Sequence, residues 1–465
     1  MIRYFRINDP YRLVGLFILL LLLYLPLFLT NNNLTVPELK SLLVGEKQNE
    51  GYSMYLEVID NTAPLAAWTH EQLDSVFGRS ILARHVLAFI LIFLQSGYLG
   101  IMFISKKVFS ENTYIPSFLF SLLFFFSYDT LALSNELLGS GFLLLALNNL
   151  FQEIEFRNER DESIFNVGVC ISLASLFSFS FVVYLGCAMV ILFLFTRSTI
   201  RKFLLLVFGF LLPHLFTLSL AYLDDSQRVL WEYFYLPNLS FDRMVFVDVK
   251  TLFSLGALPL IYFVISIVML NREARFSKYQ SQILQTVLLW LAFSFLFILY
   301  TKDLRPQSLI VLIPGFAFLF THFFLLIRRK KFVFLNSWIL FLGIISVAYL
   351  ARFHKIQSID YSNLEVRNEA GQITNKRILV LDNDINLYRQ NHLATPFLNW
   401  DLSENVFRYP DYYENVTLIY HCFENDPPEI VFDKDNLLGP FFDRMPMIKK
   451  EYRRQGDQYI RKASN

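Results

Sequence analysis

Length alone would allow two or three soluble domains in these 465 residues, but 55% hydrophobic and only 17% charged residues, with 50 Phe and 24 Tyr, exclude that use of most of the chain. The formal net charge of +1 gives no reason to expect a nucleic-acid partner. Cys170 and Cys187 lie in apolar stretches and Cys422 stands alone in the tail, so neither a disulfide framework nor a metal site can be built from them.

In chain order, Arg3, Arg6 and Arg12 precede an apolar run at 13–30. That run is long for a signal peptide and ends without a small-residue cleavage site, so it reads as an uncleaved first span. Further apolar blocks follow at 83–104, 115–128, 134–151, 165–180, 183–196, 203–223, 251–270, 283–300, 308–327 and 332–351. Most have the ~20 residues that cross ~30 Å of hydrocarbon. The third to sixth are the shortest, and re-entrant or tilted segments are the alternative there. The predicted fold class is an α-helical polytopic membrane protein of about eleven transmembrane helices with a small C-terminal α/β domain on the outer face.

Charge orders the loops. With the N-terminus inside, alternate loops hold Lys106 and Lys107; Arg157 and Arg160; Arg197, Arg201 and Lys202; Arg272, Arg275 and Lys278; and the run Arg328 to Lys331. Every basic cluster then falls on one face, as expected of cytoplasmic loops. The outer face receives a long first loop (31–82), short loops near 129–133 and 301–307, a middle loop (224–250) and everything after 351. Residues 1–351 thus form the membrane module and 352–465 the outer domain. Two short runs there read as strands: "RILVLDNDINLY", apolar and then ending in acidic and polar residues as a buried strand and turn do, and "PPEIVFDKDN".

The ionisable residues near the outer ends are the candidates for chemistry. Glu57 and Asp60 would share a face if they lay on a helix, just before Asn61–Pro64, where the chain must turn. A carboxylate held there can serve as a general base or can be an ordinary solvated loop acid. Asp129 and Glu136 flank the next short loop. Glu136 opens an apolar run, where it either faces an aqueous cavity or sits at the interface as an N-terminal helix charge. Arg305 stands at the outer mouth of the tenth block, able to hold a lipid phosphate, to snorkel, or to pair locally with Asp303. His85, His214 and His322 are too scattered to predict a metal site.

The first loop, "YLEVIDNTAPLAAWTHEQLDSVFGRSILARHVLAFI", resembles the signature of GT-C membrane glycosyltransferases, which include polyprenyl-phosphate-sugar transferases related to protein mannosyltransferases and the lipid A aminoarabinose transferase. Asp60, Pro64, Leu65, Phe77, Gly78 and Arg84 occupy the places of an acidic residue, a Pro-Leu pair, a Phe-Gly pair and an Arg opening the second span. "SNELLGSGFLLLALNNLF", "LRPQSLIVLIPGFAFL" and the tail resemble later family segments more loosely. The Phe-, Leu- and Asn-rich layout also resembles multispan families of Bacteroidota. Asn61, Thr62 and Ala63 stand where many relatives carry a basic residue or His and a second Pro. Gln307 and Ser308 replace a His-Tyr pair, and Ser178 replaces a Lys.

The resemblance implies transfer of a sugar from a polyprenyl-phosphate donor to a glycan, lipid or protein acceptor on the outer face. Asp60 would be the base and Arg305 or Arg84 the partner of the departing phosphate, with Glu57, Asp129 and Glu136 orienting acceptor or sugar. No metal or cofactor is required by this scheme. It further implies the inner (plasma) membrane, with the N-terminus cytoplasmic and the C-terminal domain periplasmic. The departures motivate an alternative: a non-catalytic protein of the same fold that binds a lipid-linked glycan or scaffolds envelope assembly.

Overall fold

The computed structural model describes residues 1–29, 34–156, 161–196, 199–367 and 373–462. Arg157, Arg160 and Arg197 of the charge pattern lie outside the described residues. The chain divides into two compact units.

The first unit, residues 1–32, 80–219 and 241–363, is helical. Helices at Tyr11–Leu29, Ile81–Ser105, Asn135–Glu155, Ile200–Leu223, Val249–Glu273, Lys278–Tyr300, Pro306–Leu326 and Lys330–Arg352 are long and apolar enough to cross a membrane. The other three predicted blocks are also helical but shorter: Ile115–Leu123, Asp161–Ser175 and Val183–Phe195 have 9, 15 and 13 residues. At 1.5 Å per residue the longest of these reaches about 22 Å, short of the ~30 Å hydrocarbon core. Eight helices among the described residues thus have full spanning length, and the count of eleven spans is not confirmed.

The most enclosed long helix is Pro306–Leu326, 78% buried against 22% for both Tyr11–Leu29 and Lys330–Arg352. Its phenylalanines pack ring against ring: Phe316 stacks on Phe320 at 5.7 Å and Phe318 meets Phe109 at 5.5 Å. Small residues let other helices touch through their backbones. A Cβ at Gly168 would strike the carbonyl of Leu206, and one at Gly209 would strike that of Phe165.

The helix ends bearing basic residues are tied by ion pairs. Arg6 joins Glu111 at 2.6 Å, Lys106 joins Glu155 at 2.9 Å, Lys202 joins Glu153 at 2.5 Å and Arg201 joins Asp161 at 2.5 Å. Elsewhere in this unit, β1 (Met244–Val245) pairs in parallel with β2 (Asp303–Leu304), fixing the backbone just ahead of Arg305.

The second unit gathers residues 33–79, 220–240 and 364–465. Its first helix, Val36–Asn49, begins at a capping box in which Thr35 and Glu38 satisfy each other's backbone N–H, with Pro37 in the first turn. It lies beside the helix Pro64–Phe77, with Gly45 against the carbonyl of His70. The tail forms a five-stranded sheet of β3 (Arg377–Val380), β4 (His392–Leu393), β5 (Ile430–Phe432), β6 (Tyr452–Gln455) and β7 (Gln458–Arg461), in the order β4-β3-β5-β7-β6. Both predicted strands are present as β3 and β5, paired in parallel. Helices Trp400–Arg408 and Tyr413–Asn425 contribute Phe407, Ile419 and Phe423 to a core with Leu379, Val431 and Phe441.

A buried ion network ties this sheet to the first helix. Lys47, 1% exposed, places its ammonium 2.6 Å from Asp426, and Arg377 reaches the same carboxylate at 2.7 Å. Burial would raise the Asp426 carboxyl, but the hydrogen bonds from Arg377 and Lys47 outweigh it and hold the group below its ordinary value.

Candidate functional site

Asp60 lies in an extended segment of the second unit rather than on a helix. Ile59 forms a parallel bridge with Phe397, donating its N–H to the Pro396 carbonyl at 3.1 Å and accepting from the Asn399 N–H at 3.2 Å. The Asp60 carboxylate is fully buried. Lys40 sets its ammonium 2.8 Å from one oxygen. Thr62 donates its N–H at 3.0 Å and its hydroxyl to the other. Tyr55 closes the turn by donating its hydroxyl to the Thr62 carbonyl at 2.5 Å. Burial, then the charge of Asp60, pushes the Tyr55 phenol well above its ordinary pKa, so it remains a neutral donor.

The shared helical face for Glu57 and Asp60 is not formed. Tyr55 adopts φ +69° and reverses the chain, so Glu57 points outward, exposed, and accepts the Ser53 N–H at 2.7 Å while Asp60 turns inward. Glu57 closes its own turn.

Three other candidates converge within the first unit. Arg305 donates from Nη2 to Glu136 Oε2 at 2.8 Å, and its Nη1 lies 3.7 Å from Asp129 Oδ1. All three are buried, at 4%, 5% and 0% exposure. The Gln307 N–H donates to the second Asp129 oxygen at 2.9 Å, and its side-chain amide donates to the Ala132 carbonyl at 3.2 Å. These two carboxylates are distant from Arg305 in sequence. Two carboxylates thus face one guanidinium. Arg84 is buried near the start of the helix Ile81–Ser105, whose N-cap is Ser80.

A feature that sequence reasoning missed lies alongside. An apolar cavity of about 320 Å³ opens between the helices Val249–Glu273, Lys278–Tyr300 and Pro306–Leu326, lined by residues such as Leu252, Phe295, Leu304, Leu312 and Phe316. Its one charged lining residue is Arg243, which is exposed and makes no ion pair among the described residues. The signal was an arginine directly before β1, but nothing local showed that β1 would pair beside Arg305. Lys40 was missed because the first loop was not read as helical, although "TVPE" spells its capping box.

The histidines stay apart from these groups. His214 pairs with Ser175 at 2.9 Å, and His322 sits among the rings of Phe109, Phe318 and Phe276. Among the described residues, no three His, Cys, Asp or Glu side chains are grouped to hold a metal ion.

Helices of spanning length around an Arg–carboxylate cluster and an apolar cavity define a multi-pass membrane protein. Its fold is similar to that of ArnT. It matches the crystal structure of ArnT from Cupriavidus metallidurans bound to undecaprenyl phosphate with a TM-score of 0.53 at 14% identity, over 74% of this chain. The chain spans 64% of the length of that ArnT chain. The apo Archaeoglobus fulgidus oligosaccharyltransferase aligns over 95% of this chain and 73% of its own, with 10% identity and a TM-score of 0.49. No family model and no curated protein matches the sequence.

Proposed function

We propose that this protein is a membrane glycosyltransferase that moves a sugar from a polyprenyl-phosphate donor to an acceptor hydroxyl. The observation that carries the reading is the apolar cavity with Arg243 as its one charged lining residue. Isoprene units need an apolar channel, and a single unpaired guanidinium beside it suits the phosphate head. ArnT, whose fold this chain shares, was crystallised with undecaprenyl phosphate.

In this reading Asp60 is the base, by its place in the first-loop motif. Asp60 takes the acceptor hydroxyl proton as the acceptor oxygen bonds to the anomeric carbon. The bond from that carbon to the phosphate oxygen breaks, and its electron pair leaves with the polyprenyl phosphate. A phosphate is already a good leaving group, so its main need is charge stabilisation, which Arg243 provides. Lys40 must release Asp60 for the proton to move. Arg305, Glu136 and Asp129 form a buried cluster in the first unit, and Asp129 holds the backbone N–H of Gln307. We place the chain in the inner membrane with the N-terminus cytoplasmic and the outer domain periplasmic, from the distribution of basic loops.

A second reading is favoured by one observation: Asp60 is fully covered and already paired with Lys40. On it, the protein binds a lipid-linked glycan without turning it over. Purified protein in nanodiscs, given synthetic undecaprenyl-phosphate sugars with candidate glycan, lipid and peptide acceptors, separates the two. Release of undecaprenyl phosphate that stops in Asp60→Asn supports transfer, whereas tight donor binding without turnover supports the second reading.

A further inference from the structure

We infer that Asn399, together with Asn61 beside Asp60, forms a binding site for the hydroxyl groups of a carbohydrate acceptor. The inference rests on the transferase reading for the fate of the bound hydroxyl, but not for the binding itself.

The segment that carries Asn399 is held under strain. Thr395 adopts φ +63°, a left-handed conformation that a β-branched residue rarely takes. Its N–H donates to Asp426 at 2.9 Å, and Asp426 is in turn fixed by Lys47 and Arg377. Such strain persists only where surrounding structure imposes it, and it gathers at functional sites. Here it directs Pro396 and Phe397 onto Ile59 and so delivers Asn399 to the residue after Asp60.

The polar groups form one chain. Asn399 donates from Nδ2 to Asn61 Oδ1 at 3.2 Å. The same oxygen accepts from Lys40 Nζ at 3.1 Å, and that ammonium lies 2.8 Å from Asp60. Asn238, from another stretch of the same unit, donates to the Asn61 carbonyl at 3.2 Å. Five polar side chains thus meet around one short turn.

One end of the chain is incomplete. Asn399 is 6% exposed, and its Oδ1 is buried without a hydrogen-bond partner. Buried carbonyl oxygens in folded proteins almost always have a donor. Turning the amide over would set that oxygen against Asn61 Oδ1, so the orientation is fixed by its neighbour. The missing partner is therefore a donor. Lys40 nearby disfavours a second cation, leaving a neutral hydroxyl or amide N–H. A sugar meets both needs with two of its hydroxyls, one to Asn399 and one to Asp60, whereas a serine residue would have to use its one hydroxyl at Asp60 and a backbone N–H at Asn399.

The test is saturation-transfer NMR on the full-length protein in nanodiscs prepared without glycoside detergent. The probes are the methyl glycosides of glucose, galactose, mannose and N-acetylglucosamine, with N-acetylserine methylamide as the single-hydroxyl comparison. The expected result is transfer to at least one glycoside and at least a tenfold loss in Asn399→Ala and in Asn61→Ala. An unchanged melting temperature reports that each variant is folded; a variant that fails this is replaced by Asn399→Ser or Asn61→Ser. No transfer to any glycoside, an unchanged signal in the folded variants, or transfer to the serine probe alone would overturn the inference. Glycoside binding through Asn399 in a protein that neither binds nor turns over the lipid donor would sink the transferase reading and leave this one standing.

Discussion

The ammonium of Lys40 lies 2.8 Å from the carboxylate of Asp60, so the acid at the motif position is already paired with a cation from the preceding helix. Exchange of Asp60 for Asn keeps the shape of the turn and removes the base. Transfer should fall by about 10²–10⁴, the usual contribution of a positioned general base. Unchanged transfer at normal expression would remove Asp60 from the mechanism.

Replacing Lys40 with Met leaves that carboxylate buried without its cation. Because the Lys40 side chain is 28% exposed, the expected loss is about 1–3 kcal/mol, below the ~3–5 kcal/mol of a fully buried pair. Thermal unfolding of the two variants compared with Lys40→Met/Asp60→Asn reads the coupling: the double variant should recover part of the stability lost in Lys40→Met.

Arg243 offers a cleaner handle on the lipid. A hydrogen bond to a charged group contributes about 1.5–3 kcal/mol, so Arg243→Ala should weaken undecaprenyl phosphate binding by roughly 10- to 100-fold. Undecaprenol, which lacks the phosphate, should bind wild type and variant alike. Equal loss for both lipids would mean that Arg243 shapes the cavity and does not read the head group.

Within the first unit, Arg305 and Glu136 are both buried, and removal of either breaks their ion pair. Glu136→Gln or Arg305→Met should cost about 3–5 kcal/mol, seen as a lower melting temperature in detergent. A melting temperature that does not move would show water or lipid head groups substituting for the missing partner.

The Asp426 network carries a pH signature. Its carboxyl is held below its ordinary value in the folded protein, so the stabilisation is fully present above the unfolded value of about 3.9 and is lost as pH falls through the lower folded value. Amide exchange at Thr395, whose N–H donates to Asp426, taken relative to the unstructured rate at each pH, should stay slow from pH 7 to about 4 and quicken below. In Asp426→Asn it should be faster throughout, with the step removed.

Much of this architecture could be read from residue order because lipid demands long apolar helices, and blocks such as 83–104 and 283–300 announce themselves by length. The short blocks could not be sorted from the long ones. Ile115–Leu123 is as apolar as its neighbours, and at its end Thr130 bonds back from its hydroxyl to the Phe124 carbonyl at 2.5 Å. The candidate residues were legible as types but not as partners. Arg305 lies 169 positions from Glu136, and nothing local favours that carboxylate over the adjacent Asp303. Asn399 carried no signal, since an Asn before a Trp in a polar tail is unremarkable until its backbone meets Ile59.

The pairing of Asn61 with Asn399 joins positions 338 residues apart. At about 5–20 residues per second, a ribosome needs roughly 20–70 s to make the stretch between them. Throughout that interval the segment around Asp60 has been synthesised without the strand that holds it, and Lys47 has been made without Asp426. Biogenesis of this protein must therefore keep an early, charged segment soluble and uncommitted while the remaining membrane helices are inserted. A nascent chain arrested before residue 397 should leave residues 34–79 open to protease, with closure only once the final hundred residues have emerged.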